Sequence, residues 1–189
     1  MTAAARAPLL TVGHGTLSAE DFSALLRDAG VELLVDVRSF PGSRTNPQFT
    51  REAMEQWVPD GGTAYRWERR LGGRRRLPKG TPSPDTWWRV EAFRAYSAYT
   101  RTPEWRLGLA SLLSDVASRR VAICCSEAVW WRCHRRIIAD VVSLTQPIDV
   151  LDLAHDGRLT PHPVAEGARV DEGGQVVWDA GAEPLPTSE

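Results

Sequence analysis

The segment Cys124-Cys125-Ser126-Glu127-Ala128-Val129-Trp130-Trp131-Arg132-Cys133-His134-Arg135-Arg136 carries the densest potential chemistry in the chain. Three readings compete for it. Glu127 can act as a general acid or base if burial beside Trp130 raises its pKa. A cysteine, Cys125 or Cys133, can serve as nucleophile if His134 or a helix N-terminus activates it. A zinc site built from Cys125, Cys133, His134 and a distant histidine is the third, but the C-x7-C-H spacing matches no standard zinc pattern. The residues rank in that order, with Glu127 first; no metal and no cofactor are assigned. The plain alternative for the thiols is that of small core hydrophobes, which free cysteine usually is.

A second group lies far away in sequence. His14 follows the apolar run Pro8 to Gly13, and Asp36 and Arg38 close the run beginning at Val31. Two residues apart on a strand, Asp36 and Arg38 point to the same side, where they can pair with each other or serve a ligand. A charge in an apolar strand is costly to bury without a partner or a purpose, which favours function. The loop from Ser39 to Phe49 adds Pro41, Pro47, small hydroxyls and Arg44, a composition able to offer N–H groups and a guanidinium to an anion or simply to turn the chain. The resulting expectation is an enzyme whose anionic substrate, a nucleotide, a nucleic-acid base or another phosphate-bearing molecule, is held by Arg38, Ser43, Arg44 and Arg135; a sensor that binds a small ligand without reaction is an alternative. Protons or covalent steps fall to His14, Asp36, Glu127, Cys133 and His134.

Arginine and tryptophan interleave between Arg66 and Arg89. Arg69, Arg70, Arg74, Arg75 and Arg76, followed by Trp87-Trp88-Arg89, suit single-stranded nucleic acid or an unstacked base. Half-buried aromatics under snorkelling arginines are the commoner outcome of such a composition. Lys79 is the sole lysine among 23 basic residues, and 24 acidic residues leave a net charge of -1. That balance excludes a broad positive field for nucleic acid or membrane.

Elements able to position these groups can be read from the apolar periodicity. Pro8–Gly13, Val31–Val37, Val121–Cys125 and Ile148–Leu153 read as buried strands, and Thr63–Trp67 as a further one. Ser18 caps a helix that Gly30 stops; others start near Thr50, span Asp85 to Thr100, run from Pro103 to Ser118, and extend from Ala128 to Leu144. Alternation of strands and helices predicts an α/β fold with a mainly parallel open sheet covered by helices on both faces. The titratable residues then fall at the carboxyl ends of four strands, where open α/β sheets bind ligands.

A length of 189 residues fits one domain, expected over residues 1–165, with residues 166–189 as a loosely held tail bearing an edge hairpin at Gln175 to Trp178. The N-terminal residues lack an apolar leader, no run reaches transmembrane length, and three cysteines are an odd count; together these predict a cytoplasmic protein with reduced thiols.

Several ordered motifs resemble one family. They are Thr11-Val12-Gly13-His14-Gly15-Thr16, Leu34 to Pro41 with Ser43-Arg44 and Asn46-Pro47-Gln48-Phe49, Leu71-Gly72-Gly73, Cys125-Ser126-Glu127 and Cys133-His134-Arg135. The run from Leu10 to His162, closing with His155 and Pro161-His162, resembles the bacterial and archaeal family known as domain of unknown function 488. The resemblance implies the same α/β outline and maps the family's recurrent polar positions onto His14, Asp36, Arg38, Ser43, Arg44, Glu127, Cys133, His134 and Arg135. It supplies no reaction.

Overall fold

The computed structural model describes residues 7–181. Five parallel strands come first: β1 (Leu9–Gly13), β2 (Leu33–Asp36), β3 (Ala64–Trp67), β4 (Val121–Cys125) and β5 (Val150–Leu153). The short β6 (Leu159–Pro161) adds an antiparallel edge, giving the order β3-β2-β4-β1-β5-β6. Every residue of β1, β2 and β4 is buried, as continuous apolar strands covered on both faces must be.

Alternation along the strands divides the core in two. Leu10, Val12, Leu34, Ala122 and Cys124 face one way, under α1 (Ala19–Asp28) and α2 (Arg51–Asp60). Leu9, Leu33, Val35, Val121 and Ile123 face the other, under α3 (Glu91–Thr100), α4 (Pro103–Val116) and α5 (Arg135–Thr145). The expected α/β architecture with helices on both faces therefore holds. Local signals also land where expected: Ser18, Thr50 and Thr102 each accept a backbone N–H at the start of their helices, and Gly30, at φ +67°, ends α1.

Three expectations need correction. The helix placed from Asp85 begins only at Glu91, because Asp85 is held outside it: its buried carboxylate accepts from Arg101 and from the backbone of Trp178. The helix placed from Ala128 begins only at Arg135, after a 3-10 turn at Trp130–Arg132 and an extended Cys133 at φ -125°, ψ 147°. Trp130 does not share the inward face of that helix; its ring meets His162 edge-on, with centroids 5.0 Å apart.

The tail is the third. The hairpin of β7 (Ala168–Val170) and β8 (Val176–Trp178) is packed, with Trp178 fully buried in the core beside α5 and its indole N–H donating to Asp140 at 2.9 Å. The hairpin is part of the domain, reached through His162, whose imidazole bridges the carboxylates of Asp152 and Asp140. Residues 1–6 and 182–189 lie outside the described residues, and with them the expected leaderless start and the end of the tail. No helix among the described residues is long and apolar enough to cross a membrane.

Candidate functional site

The loops after β1, β2, β3 and β4 converge at the carboxyl edge of the sheet around a cavity of about 340 Å³. Its lining includes His14, Arg38, Ser43, Arg74, Cys125 and His134.

One wall is built on a buried ion pair. Asp36 is fully buried and accepts from Arg38 Nε at 2.9 Å, Arg38 Nη2 at 2.6 Å, the Arg38 backbone N–H at 3.0 Å and the Tyr65 hydroxyl at 2.8 Å. Arg38 Nη1 donates to the Phe49 carbonyl at 2.8 Å. Burial pulls the Arg38 pKa down, but the hydrogen bond and charge of Asp36 outweigh it and hold the guanidinium charged. Burial and the Asp36 carboxylate push the Tyr65 phenol up. This carboxylate has no free face toward the cavity. Asp36, expected to transfer protons, is thus saturated by protein donors away from the cavity, and most of Arg38's fork is spent on the protein.

His14 rests on that pair. It is 2 % exposed and stacks on Phe49 with ring centroids 3.9 Å apart. Nδ1 meets the Gly15 carbonyl at 2.9 Å, which requires the proton on Nδ1 and leaves Nε2 to accept from Arg38 Nη1 at 3.4 Å. Burial lowers the pKa of His14 to about 4, opposed by the Gly15 bond and assisted by Arg38. At neutral pH it is an uncharged imidazole.

The other wall gathers Cys125 from the end of β4 with Cys133 and His134 from the approach to α5. Their ligand atoms all lie within 4.8 Å of one another. His134 Nε2 stands 2.8 Å from the Val37 carbonyl, and a carbonyl only accepts, so Nε2 carries the proton. The lone pair of Nδ1 then faces Cys133 Sγ at 3.6 Å and Cys125 Sγ at 3.9 Å. Gly73 makes room for the ring: a Cβ there would stand 2.8 Å from Nδ1. The Ser39 hydroxyl donates to the Gly73 carbonyl and fixes that approach.

Behind the thiols lies Arg135, 1 % exposed. It donates to Thr11 Oγ1 at 3.3 Å and the Glu127 carbonyl at 2.5 Å, while its Nε has no partner. Burial pushes the Cys133 thiol up, but a hydrogen bond from Cys125 and the charge of Arg135 together carry it below the ordinary thiol range. Cys125 moves the opposite way, because it shares a proton with Cys133 and is itself buried. The chemistry on offer is a pair of adjacent thiols, Cys133 the more acidic of the two, flanked by an imidazole.

Residues 18–142 match the family described as domain of unknown function DUF488. The chain belongs to the DUF488 family. The match is narrower than the Leu10-to-His162 resemblance; it takes in Arg38, Arg74, Cys125, Cys133 and His134 and leaves His14 outside. No curated protein and no solved structure is significantly similar to the chain.

Other expected site residues of this DUF488 domain do not reach the cavity. Glu127 is exposed, its side chain makes no hydrogen bond among the described residues, and it is absent from the lining. The burial that was to tune it depended on a helix starting at Ala128, and that helix does not form. Arg44 is exposed and off the cavity, whereas Ser43 lines it and accepts from the Asn46 N–H at 2.9 Å. Arg135, expected at the anion, lines a different cavity of about 310 Å³ with Thr11, Asp152 and His155.

The arginine run is divided among separate tasks. Arg70 pairs with Glu68, the Arg75 guanidinium stacks 3.7 Å over Tyr99, and Arg69 and Arg76 are exposed. Arg74 alone of the five enters the cavity lining. Half of the eight tryptophans are tied into the fold by their indoles: Trp57, Trp67, Trp105 and Trp178 each donate to a protein acceptor. Sequence reasoning missed Tyr65 and Gly73 as parts of the site. The paired Gly72-Gly73 after Leu71 was the one signal for close backbone approach.

Proposed function

We propose that this DUF488 domain is an enzyme acting on an anionic substrate, a nucleotide, a nucleic-acid base or another phosphate-bearing molecule, bound in the cavity above β1, β2 and β4. The observation that carries this reading is the lining, which contains two arginines and no carboxylate. Arg38 is already neutralised by Asp36, so the free positive charge is that of Arg74, which makes no ion pair among the described residues.

A second feature supports Arg74. Its backbone is held at φ 58°, one of two non-glycine residues with positive φ among those described. Such strain is retained where the surroundings over-determine it, often at a ligand. The neutral His14 and the Cys125–Cys133–His134 group supply the reactive side chains. Three unpaired cysteines fit a reducing, cytoplasmic setting.

Calorimetric titration of the reduced protein tests the reading. The ligands are inorganic phosphate, nucleoside mono- and triphosphates and a short single-stranded oligonucleotide, each at two salt concentrations. At least one phosphate-bearing ligand is expected to bind one to one. Arg74→Ala should weaken it roughly tenfold or more, the equivalent of one lost charge-assisted hydrogen bond. Arg76→Ala, exposed and off the cavity, should leave it unchanged. Absence of binding by every anion, or equal binding to Arg74→Ala, overturns the proposal. Oligonucleotide binding that depends on Arg69 and Arg76 and falls steeply with salt would instead favour a nucleic-acid module.

A further inference from the structure

We propose that Cys125, Cys133 and His134 form a three-ligand site for a thiophilic divalent cation, Zn²⁺, with its fourth position open to the cavity.

The spacing of the donors carries this. Zinc bonds of about 2.3 Å to sulfur and about 2.05 Å to nitrogen, set in a tetrahedron, place S and N about 3.5 Å apart and two sulfurs about 3.8 Å apart. The imidazole Nδ1 stands 3.6 Å and 3.9 Å from the two sulfurs, and all three donors fall within 4.8 Å. Both S–N separations lie within about 0.4 Å of the tetrahedral value, and drawing the two sulfurs together by at most about 1 Å completes the ligand set. The tautomer is already the one a metal needs, because the Nε2 proton is committed to the Val37 carbonyl at 2.8 Å. A second ring nitrogen donating to a backbone carbonyl is the usual support of a metal-bound histidine.

No fourth histidine, cysteine or carboxylate joins the group among the described residues. Cys125 and His134 both line the cavity, so the remaining position faces it. Two thiolates and one imidazole with a vacant position is the donor set of a catalytic rather than a structural zinc. The metal site stands on its three ligands; only the identity of its fourth occupant, an anionic oxygen of the substrate in place of water, rests on the anionic-substrate reading.

The test titrates Zn²⁺ and Co²⁺ into the full, reduced, chelator-stripped chain. One equivalent of Zn²⁺ should bind in competition with a chromophoric chelator, and Co²⁺ should give thiolate-to-metal charge-transfer absorption with tetrahedral visible bands. Cys125→Ser, Cys133→Ser and His134→Gln should each weaken binding roughly hundredfold or more, while Cys124→Ala, altered on the opposite face of the sheet, should retain it. Should a variant fail to fold, thiol counting on the unmutated protein decides: Zn²⁺ should shield two of the three cysteines, Cys125 and Cys133, from alkylation as mapped by mass spectrometry. Substoichiometric zinc, a cobalt spectrum without thiolate bands, or no protection of this pair overturns the site. Phosphate is titrated separately into metal-free protein. Phosphate binding without zinc binding refutes the metal site alone, and zinc binding without any anion refutes the substrate reading alone.

Discussion

His134 donates its Nε2 proton to the carbonyl of Val37, 2.8 Å away and 97 residues earlier in the chain. That bond joins the approach to α5 to the end of β2 and fixes which ring nitrogen faces the thiols. His134→Phe leaves the Val37 acceptor unpaired in a buried setting and should destabilise metal-free protein by about 1–3 kcal/mol. His134→Gln, which keeps a donor, should recover part of the loss. Urea denaturation measures both, and equal stabilities for the two variants would show that the bond contributes nothing.

The Asp36–Arg38 pair should act as one unit. Asp36→Ala leaves a buried guanidinium without its partner and should cost about 3–5 kcal/mol. The double change Asp36→Leu with Arg38→Met removes both charges and should be less destabilised than either single removal. Additive losses in a double-mutant cycle would contradict the coupling seen in the bidentate geometry.

The C-terminal hairpin should be required for folding. Trp178 is fully buried and bonded to Asp140, so Trp178→Ala should cost about 3–5 kcal/mol in calorimetric or denaturant unfolding. A chain ending at Ala165 should lose cooperative unfolding altogether. Wild-type stability in that truncated chain would restore the reading of residues 166–181 as a loose tail.

Two histidines should shape the pH profile of stability in opposite senses. Burial lowers the pKa of His162, but its bonds to Asp140 and Asp152 more than compensate and lift it from 6.5 to about 9. Its folded pKa exceeds the unfolded one, so its contribution is complete below pH 6.5 and is lost as pH rises through 9. His14 moves from 6.5 down to about 4. Its contribution is present above pH 6.5 and is lost as pH falls toward 4. Melting temperatures measured from pH 4 to 10 should therefore show His162→Gln flattening the alkaline limb and His14→Gln flattening the acid limb. Parallel curves for wild type and a variant would remove that histidine from the profile.

The strand-and-helix frame was legible because its signals are local. Mostly apolar runs at Val31–Val37 and Val121–Cys125, caps at Ser18, Thr50 and Thr102, and the stop at Gly30 each act within a few residues. The rule that ligands gather at strand carboxyl ends then places His14, Arg38 and Cys125 at one edge from the strand pattern alone.

What only the tertiary structure decided depends on packing between distant segments. Asp36 and Arg38 were visibly on one side of a strand, but the Tyr65 hydroxyl and the Phe49 carbonyl are what saturate them and turn the fork inward. The helix that would have buried Glu127 was an extrapolation of apolar spacing across Trp130 and Trp131; the chain turns there instead, leaving Glu127 in solvent and Cys133 extended. The thiol–imidazole group could not be recognised from C-x7-C-H spacing, because β4 supplies one ligand and the entry to α5 the other two. Periodicity reports which face of an element is apolar. The meeting of side chains across elements is set by long-range packing and hydrogen bonds, which no local window of sequence contains.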